Sequence, residues 1–272
     1  MKSYVINLDR CPDRLVCFEE QAKQVGIEFT RLRAIDAREL LPEIVDDPKW
    51  KSFQFQPIDL GNLGLLLSHR QAWQELVDSE LPHATIFEDD VRLGSNIRSV
   101  FDGIDRGDYP FDILKLETTL RRVICSERGE SVAPENEMKN LLSWHGGTAG
   151  YVISRQAAER LISRWDTMND IIDLTLFHPE SRSVAGLEIK QLVPAVCIQS
   201  QFLDASSLPV FASTLGKPAT HSRFFRYGPW TDLKRLARRH RDSMRRRTLK
   251  RSPSNREMVI PFGDSIQERQ AA

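Results

Sequence analysis

"TIFEDDV", residues 85–91, puts three acidic side chains directly behind a run, Ala84 to Phe87, that reads as a buried strand. In an open α/β sheet ligands collect at the carboxyl ends of strands, so such a strand delivers Glu88, Asp89 and Asp90 to a binding edge. Alternate residues at an edge can face the same side, and Glu88 and Asp90 can then offer oxygen to one ion. With carboxylates and no nearby cysteine, that ion is a hard one, Mn²⁺ or Mg²⁺. A cation there would offset the charge of a departing diphosphate. The same triplet also fits a solvated turn, and the surrounding chain has to discriminate.

Working outward, "LGLLLSHRQAWQELVDS" (63–79) carries Leu63, Leu66, Leu67, Trp73, Leu76 and Val77 on one apolar helical face. Upstream, "SYVINL" (3–8) is strand-like. Pro12 then opens a helix with Leu15, Phe18, Ala22 and Val25 at helical spacing, Gly26 stops it, and "IEFTRLRAI" (27–35) returns as a strand. Downstream, "FDILKLE" (111–117) predicts another strand, and "GGTAGYVIS" (146–154) a glycine turn entering one more, with Ser154 capping a following helix. Strands alternating with helices predict an α/β sheet of nucleotide-binding type.

Composition narrows the classes. The 272 residues, 40% hydrophobic, suffice for one large domain. No apolar run reaches eighteen residues and the N-terminus lacks a signal-peptide core, which predicts a cytoplasmic protein with free thiols at Cys11, Cys17, Cys125 and Cys197. Walker, GxGxxG and HExxH motifs are all missing from the sequence. The net charge of zero conceals a split: from Lys217 onward there are 15 Lys and Arg against 5 Asp and Glu, and before it 23 against 33. Trp230, Leu233, Leu236, Ala237 and Met244 track one side of a basic helix, as in a helix lying on an anionic bilayer. The last twenty residues are polar, broken by Pro253 and Pro261, and predict a mobile end.

Taken together, "VINLDRCPDR" (5–14), "AID" (34–36), "GNLGLLLSH" (61–69), "TIFEDDV" and "GGTAGYVIS" resemble, in order and spacing, glycosyltransferase family 25 over about residues 3–200. The family comprises lipopolysaccharide and lipooligosaccharide galactosyltransferases related to collagen galactosyltransferases. The resemblance implies a GT-A type, Rossmann-like nucleotide-sugar-binding sheet flanked by helices. It further implies a UDP-sugar donor, usually UDP-galactose, a saccharide or lipid-linked saccharide acceptor, Mn²⁺ or Mg²⁺, and inversion at the anomeric carbon.

On that resemblance Asp90 and Glu88 are the metal ligands. Asn7, Arg10, Arg14, Asp36, Glu88, Asp89 and Gly147 line the donor. Asp173 in "NDIIDLTLF" (169–177) is the base, with Asp170 as its alternative, and His69 is a second candidate for proton transfer. Gln199 matches a strand ending near the site. Each has an ordinary reading too: Arg14 as a surface ion pair, His69 as a packed core residue, Gly147 as a turn glycine, Trp144 and His145 as core or as a sugar-stacking wall. Members commonly read GEIGC before the Ser-His pair. Here Asn62 and Leu65 replace the acid and the cysteine, which points to a different substrate or weaker activity.

The resulting organisation is a GT-A-like domain over 1–216, a basic amphipathic segment over 217–251 that holds the protein at the inner face of the cytoplasmic membrane, and a disordered tail over 252–272. Two competing classes use the same residues: a metal-dependent hydrolase with water as acceptor, and a silent binding protein whose basic tail docks to membrane or nucleic acid. Nucleic acid is the less expected partner, because a membrane-facing helix accounts for the same charges.

Overall fold

The structure is a computed structural model that describes residues 1–51, 53–55, 58–203 and 229–263. The chain opens with β1 (Lys2–Asn7), α1 (Pro12–Val25) and β2 (Thr30–Arg33), followed by the short α2 (Pro42–Val45) and the long α3 (Leu60–Asp78). Then come β3 (His83–Glu88), β4 (Val91–Leu93), α4 (Ile97–Arg106), β5 (Ile113–Lys115) and β6 (Glu117–Thr118). Three strands, β7 (Arg122–Ser126), β8 (Glu130–Ala133) and β9 (Asn136–Asn140), precede β10 (Gly150–Ser154), α5 (Arg155–Ser163) and α6 (Ile172–Phe177). β11 (Ile189–Val193), β12 (Cys197–Gln199), α7 (Pro229–Arg251) and β13 (Asn255–Val259) complete it.

Eight strands form the main sheet in the order β2-β1-β3-β10-β5-β11-β9-β8. β2, β1 and β3 run parallel, so their carboxyl ends share one edge. β10 runs antiparallel to β3 and to β5. Successive strand residues point to opposite faces, and both faces are apolar, as a sheet covered on two sides requires. Tyr4, Ile6, Ile86, Tyr151 and Ile153 pack with α3, α5 and α6 through Leu63, Leu66, Trp73, Leu161 and Leu176. Val5, Phe87 and Val152 pack with α1 and α4 through Phe18, Ile97 and Phe101. The α/β sheet with flanking helices is therefore as the sequence predicts.

A second sheet, β4-β12-β6, positions the site. β12 pairs antiparallel with β4, setting Gln199 opposite Val91, and parallel with β6, setting Cys197 opposite Glu117. Gln199 and Glu117 thus arrive beside the acidic triplet from distant points in the chain.

The C-terminal expectation needs correction. Residues 255–259 pair antiparallel with β7, and beyond them Ile260 and Phe262 are buried. Thr118 Oγ1 donates to the Ile260 carbonyl at 2.6 Å, and the Ala195 amide to the Pro261 carbonyl at 2.9 Å. Polarity and prolines concealed a period-2 alternation, Met258, Ile260, Phe262, that closes the exposed side of β7. Residues 264–272, and 204–228 with His221, Phe224, Phe225 and Tyr227, lie outside the described residues. Among the described residues no helix is long and apolar enough to cross a membrane.

Candidate active site

The three acids after β3 divide. Asp89 is buried and turns inward: its carboxylate accepts from Asn7 Nδ2 at 2.7 Å and from Arg14 Nη1 at 3.0 Å. Three of the expected donor contacts, Asn7, Arg14 and Asp89, are thus brought together, but as partners of one another. They lock the carboxyl end of β3 to β1 and α1. Asp36 and Arg10 also meet, at 2.8 Å, with Arg38 on the same carboxylate. Arg38 and then Arg10 hold Asp36 well below the usual carboxylate range. This cluster rims an open cavity of about 320 Å³ lined by Arg33, Ala34, Ile35, Asp36, Glu39, Leu40 and Gln71, beside the ends of β1 and β2. Ser68 ties that rim to α3 by accepting from the Ile35 amide at 2.8 Å. Asn62 is taken up at the start of α3 by Asp59, which accepts from its amide groups.

Glu88 and Asp90 face the other way. Glu88 accepts from Thr148 Oγ1 at 2.6 Å, and Gln199 Nε2 lies between the two acids, 3.4 Å from Glu88 Oε2 and 3.5 Å from Asp90 Oδ1. One amide cannot neutralise two carboxylates. Burial, followed by repulsion from Glu88, pushes Asp90 up to about 7, and burial raises Glu88 as well. A cation lodged between these oxygens would relieve both effects, so the donor set suits a hard divalent ion completed by ligand oxygens. Among the described residues no group of three or more His, Cys, Asp or Glu side chains is arranged to hold a metal on its own.

Behind this pair lies a charged couple not singled out by the sequence reading. Lys115 and Glu117, both fully buried, pair at 2.9 Å. Lys115 Nζ also donates to the Gly147 carbonyl at 2.5 Å, and Glu117 Oε2 accepts from the Ala149 amide at 3.1 Å. Burial raises Glu117 to about 6 despite the lysine. Gly147 has φ +86°, and a Cβ there would come within 2.5 Å of Glu117 Oε1, so both its conformation and its surroundings require glycine. The sequence held a signal: in "ILKLE" the two charges sit two apart in a run otherwise fit for the core, and charged residues are rarely buried unless paired.

The glycine turn reaches the base candidate. The Gly147 amide is 3.4 Å from Asp173 Oδ2, while Asp173 Oδ1 is buried with no hydrogen-bond partner among the described residues. Burial raises the proton affinity of Asp173, with Gly147 and Lys115 opposing. Its alternative, Asp170, serves the fold instead, accepting from the amides of Gln54 and Phe55 at 2.8 and 2.7 Å.

His69 is fully buried, with Nδ1 2.9 Å from the Tyr151 hydroxyl, which accepts from Trp73 Nε1 at 2.9 Å. Its Nε2 faces Glu88 Oε1 at 3.8 Å, and burial pushes its pKa down to about 3. Nε2 has no hydrogen-bond partner among the described residues, and the fully buried ring packs behind Glu88 against Tyr151. His178, another histidine available to a metal, lies away from this site, tilted against Phe55 and 3.7 Å from Asp242 of α7.

Comparison with known proteins matches this arrangement to a family. The model of Glycosyltransferase family 25 (LPS biosynthesis protein) matches residues 1–176, which include β1, α3, the acidic triplet and the glycine turn. The lacto-N-neotetraose biosynthesis glycosyltransferase LgtB of Neisseria meningitidis serogroup B is 27% identical, covering 96% of this chain and 100% of that one. The lipooligosaccharide biosynthesis protein lic2B of Haemophilus influenzae is 27% identical over 72% of this chain and 75% of its own. Human procollagen galactosyltransferase 2 is 26% identical over 58% of this chain and 27% of its own. Among solved structures, a glycosyltransferase involved in glycosylation of the major capsid of PBCV-1 is similar at TM-score 0.39 and 10% identity, covering 73% of this chain and 92% of that one. That likeness is too slight to carry an argument. The family model spans more than half of the chain and the motifs that build the site, and the chain belongs to glycosyltransferase family 25.

Proposed function

We propose that this family member is an inverting, metal-dependent glycosyltransferase of GT-A type. In this reading it transfers a hexose, galactose, from a UDP-sugar to a lipopolysaccharide or lipooligosaccharide acceptor. The observation that carries it is the under-neutralised pair Glu88 and Asp90 on Gln199, at the carboxyl edge of β3, with Asp173 across the glycine turn. The names of the relatives, which concern lacto-N-neotetraose and lipooligosaccharide biosynthesis, support the acceptor class.

Asp90 and Glu88 are the residues that would hold Mn²⁺ or Mg²⁺, which when bound neutralises charge on the departing diphosphate. Asp36 at the neighbouring cavity, with Arg10 paired to it, suits the nucleoside end of the donor. Thr148 fixes the orientation of Glu88. Asp173 takes the proton from the acceptor hydroxyl as its oxygen bonds to the anomeric carbon. The bond from that carbon to the diphosphate oxygen breaks on the opposite face, leaving its electron pair on UDP and inverting the centre. A carboxylate whose proton affinity is raised by burial suits a base, with the Gly147 amide and Lys115 opposing that rise.

We read α7 as a contact with an anionic membrane surface at the cytoplasmic face. Its solvent side carries Leu236 and Met244, 60% and 56% exposed, among exposed Arg239, Arg241 and Arg247. On the body side, Arg246 and Lys250 pair with Glu257 and Arg245 with Glu180, which fixes the helix and leaves that stripe outward.

Calorimetry of UDP binding with and without Mn²⁺, on the natural protein and Asp90→Ala, tests the enzyme reading. Metal-dependent binding lost on substitution is expected. No UDP binding by the natural protein with metal present would remove the reading.

A further inference from the structure

Lys115 and Glu117 occupy the join between the two sheets: Lys115 ends β5 of the eight-stranded sheet, and Glu117 begins β6 of the three-stranded one. Residues two apart in an extended run point to the same side, so both charges leave the backbone together. Two charges lose their water on burial here, and Glu117 Oε1 has no hydrogen-bond partner among the described residues. Stability alone does not account for such a pair, because apolar side chains of similar volume often serve a core as well or better.

Its contacts supply another reason. Residues 146–149 belong to no strand or helix, so their buried backbone groups need partners outside a ladder. Lys115 Nζ donates to the Gly147 carbonyl, and Glu117 Oε2 accepts from the Ala149 amide. The two charges thus hold the residue on each side of Thr148. Thr148 itself is buried, and its hydroxyl donates to Glu88 Oε1 at 2.6 Å. The turn is also fixed to β3, the Glu88 amide donating to the Ala149 carbonyl at 3.0 Å. Lys115 reaches α6 as well: Nζ lies 4.2 Å from the centre of the Phe177 ring, one helical turn beyond Asp173. The backbone that carries both charges is held in its turn, with Gln191 Nε2 donating to the carbonyls of Lys115 at 3.3 Å and Glu117 at 3.1 Å.

We propose that Lys115 and Glu117 are positioning residues for the transfer: they set the 147–149 turn, and through it the Thr148 hydroxyl that aims Glu88. This rests on Glu88 being a metal ligand of the proposed transferase, and it adds the groups that hold that ligand in place. Both side chains are fully enclosed and act only through the turn.

The test is calorimetry of UDP binding with and without Mn²⁺, beside chemical denaturation of each protein. The natural protein is compared with Thr148→Val, Glu117→Gln, Lys115→Met/Glu117→Gln and the combination of all three substitutions. Glu117→Gln keeps an oxygen for the Ala149 amide and retains most of the Mn²⁺-dependent binding. Lys115→Met/Glu117→Gln leaves no charge buried alone, unfolds cooperatively, and weakens that binding about 10- to 100-fold. Thr148→Val weakens it within the same range, and the combined variant loses no more than the worse of the two, because one path carries both effects. Losses that add, natural binding by the folded Lys115→Met/Glu117→Gln protein, or a loss at Glu117→Gln equal to that of the double variant refutes the clamp and leaves the transferase reading standing. Natural binding by Thr148→Val refutes it too, and that variant, with both charges intact, decides the matter where the double one does not fold. If the natural protein binds no UDP with Mn²⁺ present, the transferase reading itself fails.

Discussion

Asp89 and Asp90 are neighbours in sequence with opposite fates. Asp89 faces Asn7 and Arg14, meets a full positive charge at 3.0 Å, and serves to hold β3 against α1. Asp90 faces Gln199 and Glu88, and burial and the repulsion from Glu88 outweigh the attraction of Arg14. The first arrangement is satisfied within the chain, while the second leaves two neighbouring carboxylates in mutual repulsion. Unbalanced buried charge, rather than acidity as such, separates chemistry from scaffolding here.

The contrast can be broken at several points. The largest expected effect is at the transfer step: Asp173→Asn lowers kcat about 10²- to 10⁴-fold while leaving metal-dependent UDP binding in place, read by product formation and calorimetry. A loss of UDP binding instead would return Asp173 to a structural role.

Next comes the scaffold side. Asp89→Ala removes the buried carboxylate that Asn7 and Arg14 both meet and destabilises the fold by about 1–3 kcal/mol in chemical denaturation, with or without metal. Asp90→Asn removes a repelled charge and, in EDTA at pH 8, leaves the protein as stable as before or more so. Equal losses from both substitutions would erase the distinction.

The smallest effect is in pH dependence. Folding raises the proton affinity of Asp90, to about 7, and that of Glu117, to about 6, so in the window above the ordinary carboxylate range the folded chain binds more protons than the unfolded one. Their contribution to stability is therefore present at acid pH and is lost as pH rises from about 4 to about 7. His69, His145 and His178, depressed by burial to about 3, 3 and 4, act in the opposite direction over much of the same range. The effect is read as a difference: the stability of Asp90→Asn relative to the natural protein, in EDTA, grows between pH 5 and pH 8. Stabilisation of the natural protein by Mn²⁺ grows over the same interval. A flat difference would mean that Asp90 is ionised and already balanced.

Local patterns carried most of the fold. Pro12 and the apolar spacing up to Val25 gave α1, Ser154 caps α5 by accepting from the Ala157 amide at 3.1 Å, and the acidic triplet does follow a strand. The C-terminal strand was missed because three alternating apolar residues, Met258, Ile260 and Phe262, are a weak signal among prolines and charges, and β7, which they cover, lies more than 120 residues earlier. Asp90 and Glu88, named from the acidic motif, and Asp173, named from the family resemblance, do lie around one glycine turn. Their inequality with Asp89, Asn7 and Arg14 was not legible, since pairing depends on which way a side chain points once strands and helices have packed.

By itself the sequence determined the alternation of strands and helices, the carboxylates at the end of β3 and the family, because each rests on short-range periodicity or on motifs read in order. Only the tertiary structure decided that Lys115 and Glu117 stand behind those carboxylates, that His69 is buried 3.8 Å from Glu88, and that Asp170 is committed to a loop. Those facts depend on contacts between residues far apart in the chain, where burial and the distance between charges set which groups are neutralised and which remain available for chemistry.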